Sequence, residues 1–334
     1  MTSISENTRA LLLLTAPLIV GAVDGGSAAP LSLGEFNKLA RRLKEIAAEP
    51  AELLGPDRAE LLQKSSSPLS AERLESLLDR GFQMSQALEK WNARGIWITS
   101  RIDSDYPEQL KAKLNEHAPT LIYGCGNKSL LQNGGLAVVG SRDADEQSLE
   151  FTESVGQLAA AAGVTIISGG AKGVDRAAMQ GSLAAGGAAV GVLAEQLLRM
   201  AVAPDCREPI REGRLTLISL VDPDARFNVG NAMQRNKIIY GLADAALIVS
   251  SDVNKGGTWA GAIEQLERFK SGAIYVRTNS GAPKGNRELQ GRGALPWPQP
   301  KTTDELKRVL VTSSPNTEAF AVDSQLPLFV MEKH

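Results

Sequence analysis

Aromatic residues, histidine and cysteine are scarce in this sequence, and each scarcity limits what the protein can be. Phe, Tyr and Trp make up 4% of the 334 residues, so platforms on which nucleic-acid bases stack are not abundant. The two histidines, His117 and His334, are too few for a histidine-based metal site or catalytic triad. The two cysteines, Cys125 and Cys206, form neither a disulfide framework nor a structural zinc site, so we expect a reducing, cytoplasmic environment and no metal.

Excess charge and long apolar runs are missing as well. The 36 Lys and Arg residues against 38 Asp and Glu residues give a formal net charge of -2, so binding to nucleic acid would need locally concentrated cations. The run at residues 11–23 is too short to cross a bilayer comfortably and contains Pro17. Glu6 offsets Arg9, which weakens the positive N-terminal region that a signal peptide requires. We predict a buried helix followed by a turn, and no membrane segment.

The arrangement of apolar residues divides the chain into segments of different character. In residues 33–48 the apolar positions recur at helical spacing, and Ser32 with Glu35 has the pattern of a capping box. Similar helical patterns fill the first third of the chain. We predict a helical N-terminal domain, a connector leading into a sheet, a Rossmann-like domain, and a short helix with a flexible tail, at residues 1–94, 95–133, 134–297 and 298–334.

Six short apolar runs alternate with helical patterns between residues 134 and 277. Runs that are apolar at nearly every position are typical of strands buried on both faces of a parallel sheet. We therefore expect an α/β fold with a doubly wound, mostly parallel, Rossmann-like sheet, preceded by the small helical domain. The predicted strands are residues 136–139, 164–168, 188–193, 215–220, 245–250 and 273–276, and the helices between them are 146–162, 174–185, 231–242 and 259–270.

The first two predicted strands both end in glycine turns that carry a cation. The carboxyl ends of neighbouring parallel strands meet at one crevice, which is where such sheets bind ligands. Glycine allows close approach of the backbone, and the free N–H groups at a helix N-terminus attract an anion. These two turns therefore predict a phosphate-binding site. Its residues are Gly140, Ser141 and Arg142 in the first turn and Gly169, Gly170, Lys172 and Gly173 in the second.

Two further basic segments extend this prediction. Arg235, Asn236 and Lys237 lie on the helix before the fifth strand, and Lys255 begins a glycine turn after it. Arginine can form paired hydrogen bonds with phosphate, and asparagine can bind sugar or base. Taken alone, residues 235–237 fit a solvated helix face equally well. Four basic segments close to strand ends are more specific than any one of them.

The usual nucleotide-binding signatures are missing from these turns. The first turn lacks the G-x-G-x-x-G pattern of dinucleotide sites, and the second strand ends in Ser168 rather than in an acidic residue that could hold a ribose. Lys172 is followed by Gly173, with no Ser or Thr to bind magnesium as in a Walker A loop. We therefore expect no nucleotide cofactor.

The segments VVGSR, SGGAKGVDRAAM, QRNKIIYGLADAALIV and KGGTWAGAIEQLERFK together resemble the DprA (Smf) family of DNA-processing proteins. The resemblance implies a non-enzymatic, dimeric protein that binds single-stranded DNA and loads a RecA-type recombinase in natural transformation and recombination. It implies phosphate contacts at Arg142, the loop containing Lys172, and residues 235–237. Ala232 and Met233 stand where the family usually has a bulky aromatic residue.

A nucleotide-binding enzyme or sensor of the same glycine-rich superfamily is the alternative interpretation. The segment KGGT at residues 255–258 is similar to the PGGxGTxxE motif of phosphoribohydrolases. Gly261 stands where the catalytic glutamate of that motif is expected, and without a carboxylate the hydrolysis loses its acid–base group. A sensor without catalytic activity remains compatible with the sequence.

A short apolar segment near the C-terminus predicts a separate interaction. QLPLF, with Gln325, Leu326, Leu328 and Phe329, resembles the peptide motif by which bacterial proteins dock into the replication sliding clamp. A flexible tail with a few apolar anchors is a common form of such peptides. A chance match, or packing of this segment against the body of the protein, is an equally good interpretation.

Overall fold

The computed structural model describes residues 4–19, 28–65, 69–226, 228–279 and 281–313. The predicted flexible tail and its QLPLF segment at residues 325–329 lie outside these ranges. Among the described residues, no helix is both long enough and apolar enough to cross a membrane.

A nine-stranded sheet forms the centre of the structure, in the order β1-β2-β6-β5-β4-β3-β7-β8-β9. All pairs from β6 across to β9 are parallel, whereas β2 runs antiparallel to both of its neighbours, β1 and β6. The predicted mostly parallel α/β fold is thereby confirmed. The strands are β1 (Trp97–Ser100), β2 (Leu121–Gly126), β3 (Leu136–Val139), β4 (Ile166–Ser168), β5 (Ala189–Leu193), β6 (Leu215–Ser219), β7 (Ala245–Ile248), β8 (Ala273–Val276) and β9 (Leu295–Pro296).

Helices precede the sheet and cover both of its faces. Short 3-10 turns occupy Pro50–Leu54, Asn115–His117 and Lys128–Leu131, and a π-helical turn occupies Gln265–Phe269. The α-helices in the described part of the chain are α1 (Glu6–Thr15), α2 (Leu33–Glu45), α3 (Arg58–Ser65), α4 (Ala71–Leu78), α5 (Gly81–Asn92), α6 (Glu108–Leu114), α7 (Glu146–Ala161), α8 (Val174–Ala184), α9 (Leu197–Met200), α10 (Pro204–Arg211), α11 (Val229–Leu242), α12 (Gly256–Glu264), α13 (Lys284–Gly291) and α14 (Thr303–Ser313).

Two apolar cores lie on opposite faces of the sheet. Side chains alternate between faces along a strand, so Leu136 and Val138 of β3 enter one core while Ala137 and Val139 enter the other. The first core also contains α7, α8, α14 and the N-terminal helices, and the second contains α6, α11, α12 and α13. Burial on both faces explains why the strands are apolar at nearly every position.

The apolar run near the N-terminus forms part of a buried helix, α1. The helix begins before the apolar run, at Glu6, because Ser5 caps it by accepting a hydrogen bond from the backbone N–H of Thr8. It ends at Thr15, shortly before Pro17. Residues 10–14 are all buried, so the second half of this helix is apolar around its whole circumference, whereas Glu6 and Arg9 in the first half are exposed. The predicted capping box of Ser32 and Glu35 is present at the start of α2.

Some elements differ from the sequence prediction. The helix predicted at residues 259–270 begins at Gly256, as α12, and continues after Glu264 as the π-helical turn. The stretch between β5 and β6, predicted only as polar, contains α9 and α10. Residues 95–133, predicted as a connector leading into the sheet, contain the strands β1 and β2. The division of the chain into four segments stays a prediction.

The order of the strands creates a topological switch point beside β3. From β3 the chain adds β4, β5 and β6 in turn on one side, and then returns to place β7 on the other side of β3. The connections after β3 and β7 therefore leave the sheet in opposite directions, and a crevice opens between their carboxyl ends. The first predicted glycine turn follows β3, directly at this crevice.

Candidate phosphate-binding site at the switch point

The turn after β3 is held between β7 and the starts of two helices. The backbone N–H of Ser141 donates to Ser250 Oγ at 2.9 Å, and Thr258 Oγ1 donates to the carbonyl oxygen of Gly140 at 3.2 Å. A Cβ at Gly140 would lie 2.6 Å from Val174 Cγ2, so only glycine fits. These contacts fix the backbone that presents Arg142, whose side chain is exposed.

The turn after β4 packs directly against the turn after β3. The backbone N–H of Val174 donates to Ser141 O at 3.2 Å. Gly173 has a φ of 87°, and a Cβ there would lie 2.4 Å from Ser141 O and 2.6 Å from Arg142 O. Gly170 also has a left-handed φ, of 65°. The structure thus brings the two predicted glycine turns together, with the N-terminus of α8 at their junction.

Three exposed cations follow the carboxyl ends of β3, β4 and β7. They are Arg142, Lys172 and Lys255. Lys172 Nζ lies 3.9 Å from Asp143 Oδ1, but both side chains are mostly exposed, so this ion pair is weak. Lys255 is the N-cap residue of α12 and precedes Gly256, which has a φ of 81°. We call residues 140–142, residues 169–173 and Lys255 the switch-point site.

Arg235 lies beneath the glycine loop rather than on its surface. A Cβ at Gly169 would overlap the guanidinium of Arg235, whose Nη1 donates to Val192 O at 3.3 Å and lies 3.4 Å from Asp175 Oδ2. Both charged side chains are about nine-tenths buried. Arg235 therefore supports the loop from below, and its predicted phosphate contact stays a prediction.

The electrostatics of this pair follow from its burial. Burial raises the pKa of Asp175, while Arg235 and the backbone N–H groups around the loop act to lower it. Burial lowers the pKa of Arg235, Asp175 acts to raise it, and the nearby positive charge of Arg142 lowers it further. Asp175 lies in the first turn of α8, three residues after Lys172. In the structure its ion-pair partner is Arg235.

The two residues that follow Arg235 hold helices together. Asn236 Nδ2 donates to Gly257 O at 3.0 Å and so ties α11 to the start of α12. Lys237 Nζ lies 3.2 Å from Glu264 Oε1 on α12, with its side chain 15% exposed. The charge of Lys237 is thus already paired with a carboxylate. The predicted phosphate contacts of these two residues stay predictions.

The position that carries the catalytic glutamate in phosphoribohydrolases is tightly packed here. Gly261 is buried on α12, and a Cβ there would lie 3.3 Å from Asn236 Nδ2 and 3.4 Å from Tyr240 Cε2. A longer side chain would have to displace one of these neighbours. Among the described residues, no group of three or more His, Cys, Asp and Glu side chains is placed to hold a metal ion.

Comparison with known proteins identifies the family. A model of the family described as DNA recombination-mediator protein A matches residues 97–303. The chain belongs to this family. The resemblance drawn from the four sequence segments is thereby confirmed. The family description names a mediator of DNA recombination rather than an enzyme.

Two curated relatives of the recombination-mediator family match about half of this chain. Protein Smf of Synechocystis sp. is 27% identical over 177 residues, which are 51% of this chain and 44% of that protein. DNA processing protein DprA of Streptococcus pneumoniae is 28% identical over 187 residues, which are 54% of this chain and 63% of that protein. The chain therefore matches less than two thirds of the length of either relative.

Solved DprA structures share the fold of this family member. The X-ray structure of DprA from Streptococcus pneumoniae superposes with a TM-score of 0.68 at 19% identity, covering 92% of this chain and 98% of that chain. A DprA structure from Helicobacter pylori superposes with a TM-score of 0.50 at 21% identity, covering 65% and 94%. The report of the latter structure concerns a mode of single-stranded DNA binding by that protein.

Sequence reasoning missed two residues that shape the site in this member of the family. Ser250 and Thr258 hold the turn after β3 through the hydrogen bonds described above. Ser250 is the last residue of the predicted fifth strand and Thr258 lies in the KGGT segment, so both belong to segments that the sequence had singled out. Serine and threonine are common on any surface, and only the tertiary fold brings these two to the turn.

Proposed function

We propose that this protein binds single-stranded DNA at the switch-point site and acts as a non-catalytic recombination mediator. The observation that carries the proposal is the cluster of exposed Arg142, Lys172 and Lys255 at three strand ends around tightly packed glycine backbones. Two or more of these cations can contact successive phosphates of one strand. Phosphate contacts carry little sequence information, so binding is expected to be largely independent of sequence.

Exposed apolar side chains on α11 and in the loop before Lys255 favour a single strand over a duplex. Met233 lies one turn before Asn236 on α11 and is 50% exposed, and Val253 lies two residues before Lys255 and is 41% exposed. Unpaired bases can pack on apolar side chains while their phosphates meet the cations. The Helicobacter pylori relative supports the same choice, since its structural report concerns single-stranded DNA.

The double substitution Arg142→Ala with Lys172→Ala tests the proposed function. We expect loss of oligonucleotide binding with an unchanged melting temperature, because both side chains are exposed and the fold does not depend on them. Binding is measured by fluorescence anisotropy of a labelled oligonucleotide over a salt series. For the wild-type protein the logarithm of affinity should fall with the logarithm of salt by about 0.7 per phosphate contact.

Arg211→Ala is the matched control for this test, because Arg211 is an exposed arginine on α10 that pairs with Glu208. It should bind the oligonucleotide as the wild type does. Unaltered affinity of the Arg142→Ala, Lys172→Ala protein would end the assignment of the site. Displacement of the oligonucleotide by AMP or ATP would favour the nucleotide sensor instead.

We also propose that the protein acts in the cytoplasm as a homodimer that helps a RecA-type recombinase to assemble on DNA. The family description supports the recombination role, and two free buried cysteines suit a reducing compartment. Strand exchange by the recombinase, on DNA covered with single-strand binding protein, should be stimulated by the wild type and not by the Arg142→Ala, Lys172→Ala variant.

Light scattering measures the mass of the protein in solution and so tests the proposed homodimer. A monomer at all concentrations would contradict the homodimer.

The QLPLF segment at residues 325–329 is proposed as a docking motif for the sliding clamp. Deletion of these five residues should remove clamp binding in a surface-plasmon-resonance assay and leave DNA binding intact. Equal clamp affinity of the deleted and full-length chains would contradict the proposal.

A further inference from the structure

A cavity outside the switch-point site lies between the end of β8 and the start of α13. Its volume is about 240 Å³. A Cβ at Gly285 on α13 would lie 2.0 Å from Ser251 O, so α13 begins against the chain that follows β7. The residues that line this β8–α13 cavity include Arg277, Asn279, Gly281, Asn286 and Arg287.

Arg277 is a buried cation with unused hydrogen-bond donors. It is 1% exposed, its Nη2 donates to Gly281 O at 3.2 Å, and its Nε and Nη1 have no acceptor in the described part of the chain. The guanidinium carbon lies 5.6 Å from the ring centroid of Phe151 on α7. Burial lowers the pKa of Arg277, whereas Asp145 at the start of α7 acts to raise it. A buried donor without an acceptor is costly, so a ligand oxygen here would be stabilising.

Two amide side chains that line the same cavity have carbonyl oxygens to which no group in the described part of the chain donates a hydrogen bond. Asn286 Nδ2 donates to Val249 O at 3.0 Å and to Arg277 O at 2.9 Å, which fixes the orientation of the amide. Its Oδ1, like Asn279 Oδ1, is buried without a partner among the described residues. The cavity lining therefore contains a cationic donor and two acceptors without partners in the described part of the chain. These atoms are closed to solvent, so a ligand reaches them by displacing the groups that cover them. A matching ligand carries anionic oxygens and also O–H or N–H groups.

We propose that the β8–α13 cavity binds a phosphate monoester, either free or at the end of a DNA strand. The phosphate oxygens would accept from the Arg277 guanidinium, and hydroxyl or amino groups of the ligand would donate to Asn279 and Asn286. Exposed Arg287 on α13 and the N–H groups at the start of that helix add to the attraction. Binding of a free phosphate monoester goes beyond the proposed function. Binding of the terminal phosphate of a DNA strand rests on the proposed function.

Two kinds of probe distinguish the sources of the phosphate. Inorganic phosphate and AMP are titrated into the full-length protein by calorimetry. Oligonucleotides of one sequence, with and without a terminal phosphate on the 5′ or 3′ end, are compared by anisotropy. We expect binding of a free monoester, or tighter binding of a phosphorylated end than of the same end without phosphate.

The variants Asn279→Asp and Arg277→Gln test the residues. Asn279→Asp puts a negative charge in the cavity and keeps the shape of the side chain. It therefore still tests the cavity if the Arg277→Gln protein does not fold. Arg277→Gln removes a charge-assisted hydrogen bond, and Asn279→Asp introduces a repelling carboxylate. Each should weaken binding of the monoester about tenfold or more. Arg211→Gln, far from the cavity in sequence and exposed, should bind as the wild type does.

The proposal is overturned if neither probe binds at millimolar concentrations, or if binding persists undiminished in Asn279→Asp. Failure of the proposed function gives a different result. In that case the oligonucleotides without terminal phosphate do not bind the wild type, while the titrations with phosphate and AMP still test the cavity.

Discussion

At the scale of single residues, the buried pair of Arg235 and Asp175 organises the switch-point site. The two charges compensate each other at 3.4 Å beneath Gly169, and the Nε of Arg235 has no partner among the described residues. A buried ion pair contributes little net stability compared with an apolar pair, but removal of one partner leaves an uncompensated charge. We infer that this pair keeps the glycine loop in one conformation.

Arg235→Ala should therefore destabilise the protein by about 3 kcal/mol, because it leaves Asp175 buried without its cation. Urea denaturation measures the change. Arg235→Ala with Asp175→Ala should recover part of the loss, since both charges are then absent. A loss below about 0.5 kcal/mol, which is typical of a surface pair, would show that the ion pair does not matter.

At the scale of elements, the contact between the turns after β3 and β4 depends on Gly173. Its φ of 87° is unfavourable for other residues, and a Cβ would meet two carbonyl oxygens of the neighbouring turn. Gly163, which follows α7, has a φ of 69°, but a Cβ there would have no neighbouring atom within 4 Å. Substitutions at these two glycines can therefore separate the cost of the backbone conformation from the cost of steric crowding.

Gly173→Ala should lower the free energy of unfolding by more than Gly163→Ala, which should cost about 1 kcal/mol from conformation alone. Gly173→Ala should also weaken oligonucleotide binding, because Ser141 and Arg142 must move away from the new methyl group. Denaturation and anisotropy measure the two effects. Equal destabilisation by both substitutions would mean that the two turns do not rely on close contact.

At the scale of the whole molecule, the N-terminal helices are built into one face of the sheet. Buried Arg80, just before α5, donates to the carbonyl oxygen of Ala16 at 3.0 Å and also to that of Leu13. Asp222, which follows β6 and is 1% exposed, accepts from the backbone N–H of Ile19 at 3.0 Å. These contacts join the segment after α1 to α5 and to the sheet.

The stability contributed by Asp222 should depend on pH. Burial raises the pKa of Asp222, although the N–H groups of Ile19 and Asp224 act to lower it. Because the folded pKa exceeds the unfolded value of about 3.9, this contribution is complete below that value and is lost as the pH rises through the folded pKa. Asp222→Asn should therefore gain stability relative to the wild type as the pH rises from about 4 to about 7. A difference that stays constant over this range, in thermal melts, would contradict the shift.

The sequence alone determined the parallel sheet and its glycine turns. The strand at residues 136–139 was predicted with the observed bounds, because it is apolar on both faces and ends at Gly140. Strand β2 was missed because it contains Gly124 and Gly126 and lies in the antiparallel part of the sheet. The local pattern of apolar residues predicts a strand well where one periodicity dominates. It predicts a strand poorly where pairing with a strand distant in sequence stabilises the segment.

Only the tertiary structure decided which cations remain available. The sequence assigned Arg142, Lys172, residues 235–237 and Lys255 to one phosphate-binding site, although residues 235–237 taken alone fitted a solvated helix face equally well. The fold leaves Arg142, Lys172 and Lys255 exposed, buries Arg235 against Asp175 and pairs Lys237 with Glu264. Helical periodicity predicts the direction in which a side chain points from the helix axis. It does not predict which carboxylate a neighbouring helix places next to that side chain, because the packing of elements far apart in sequence decides this.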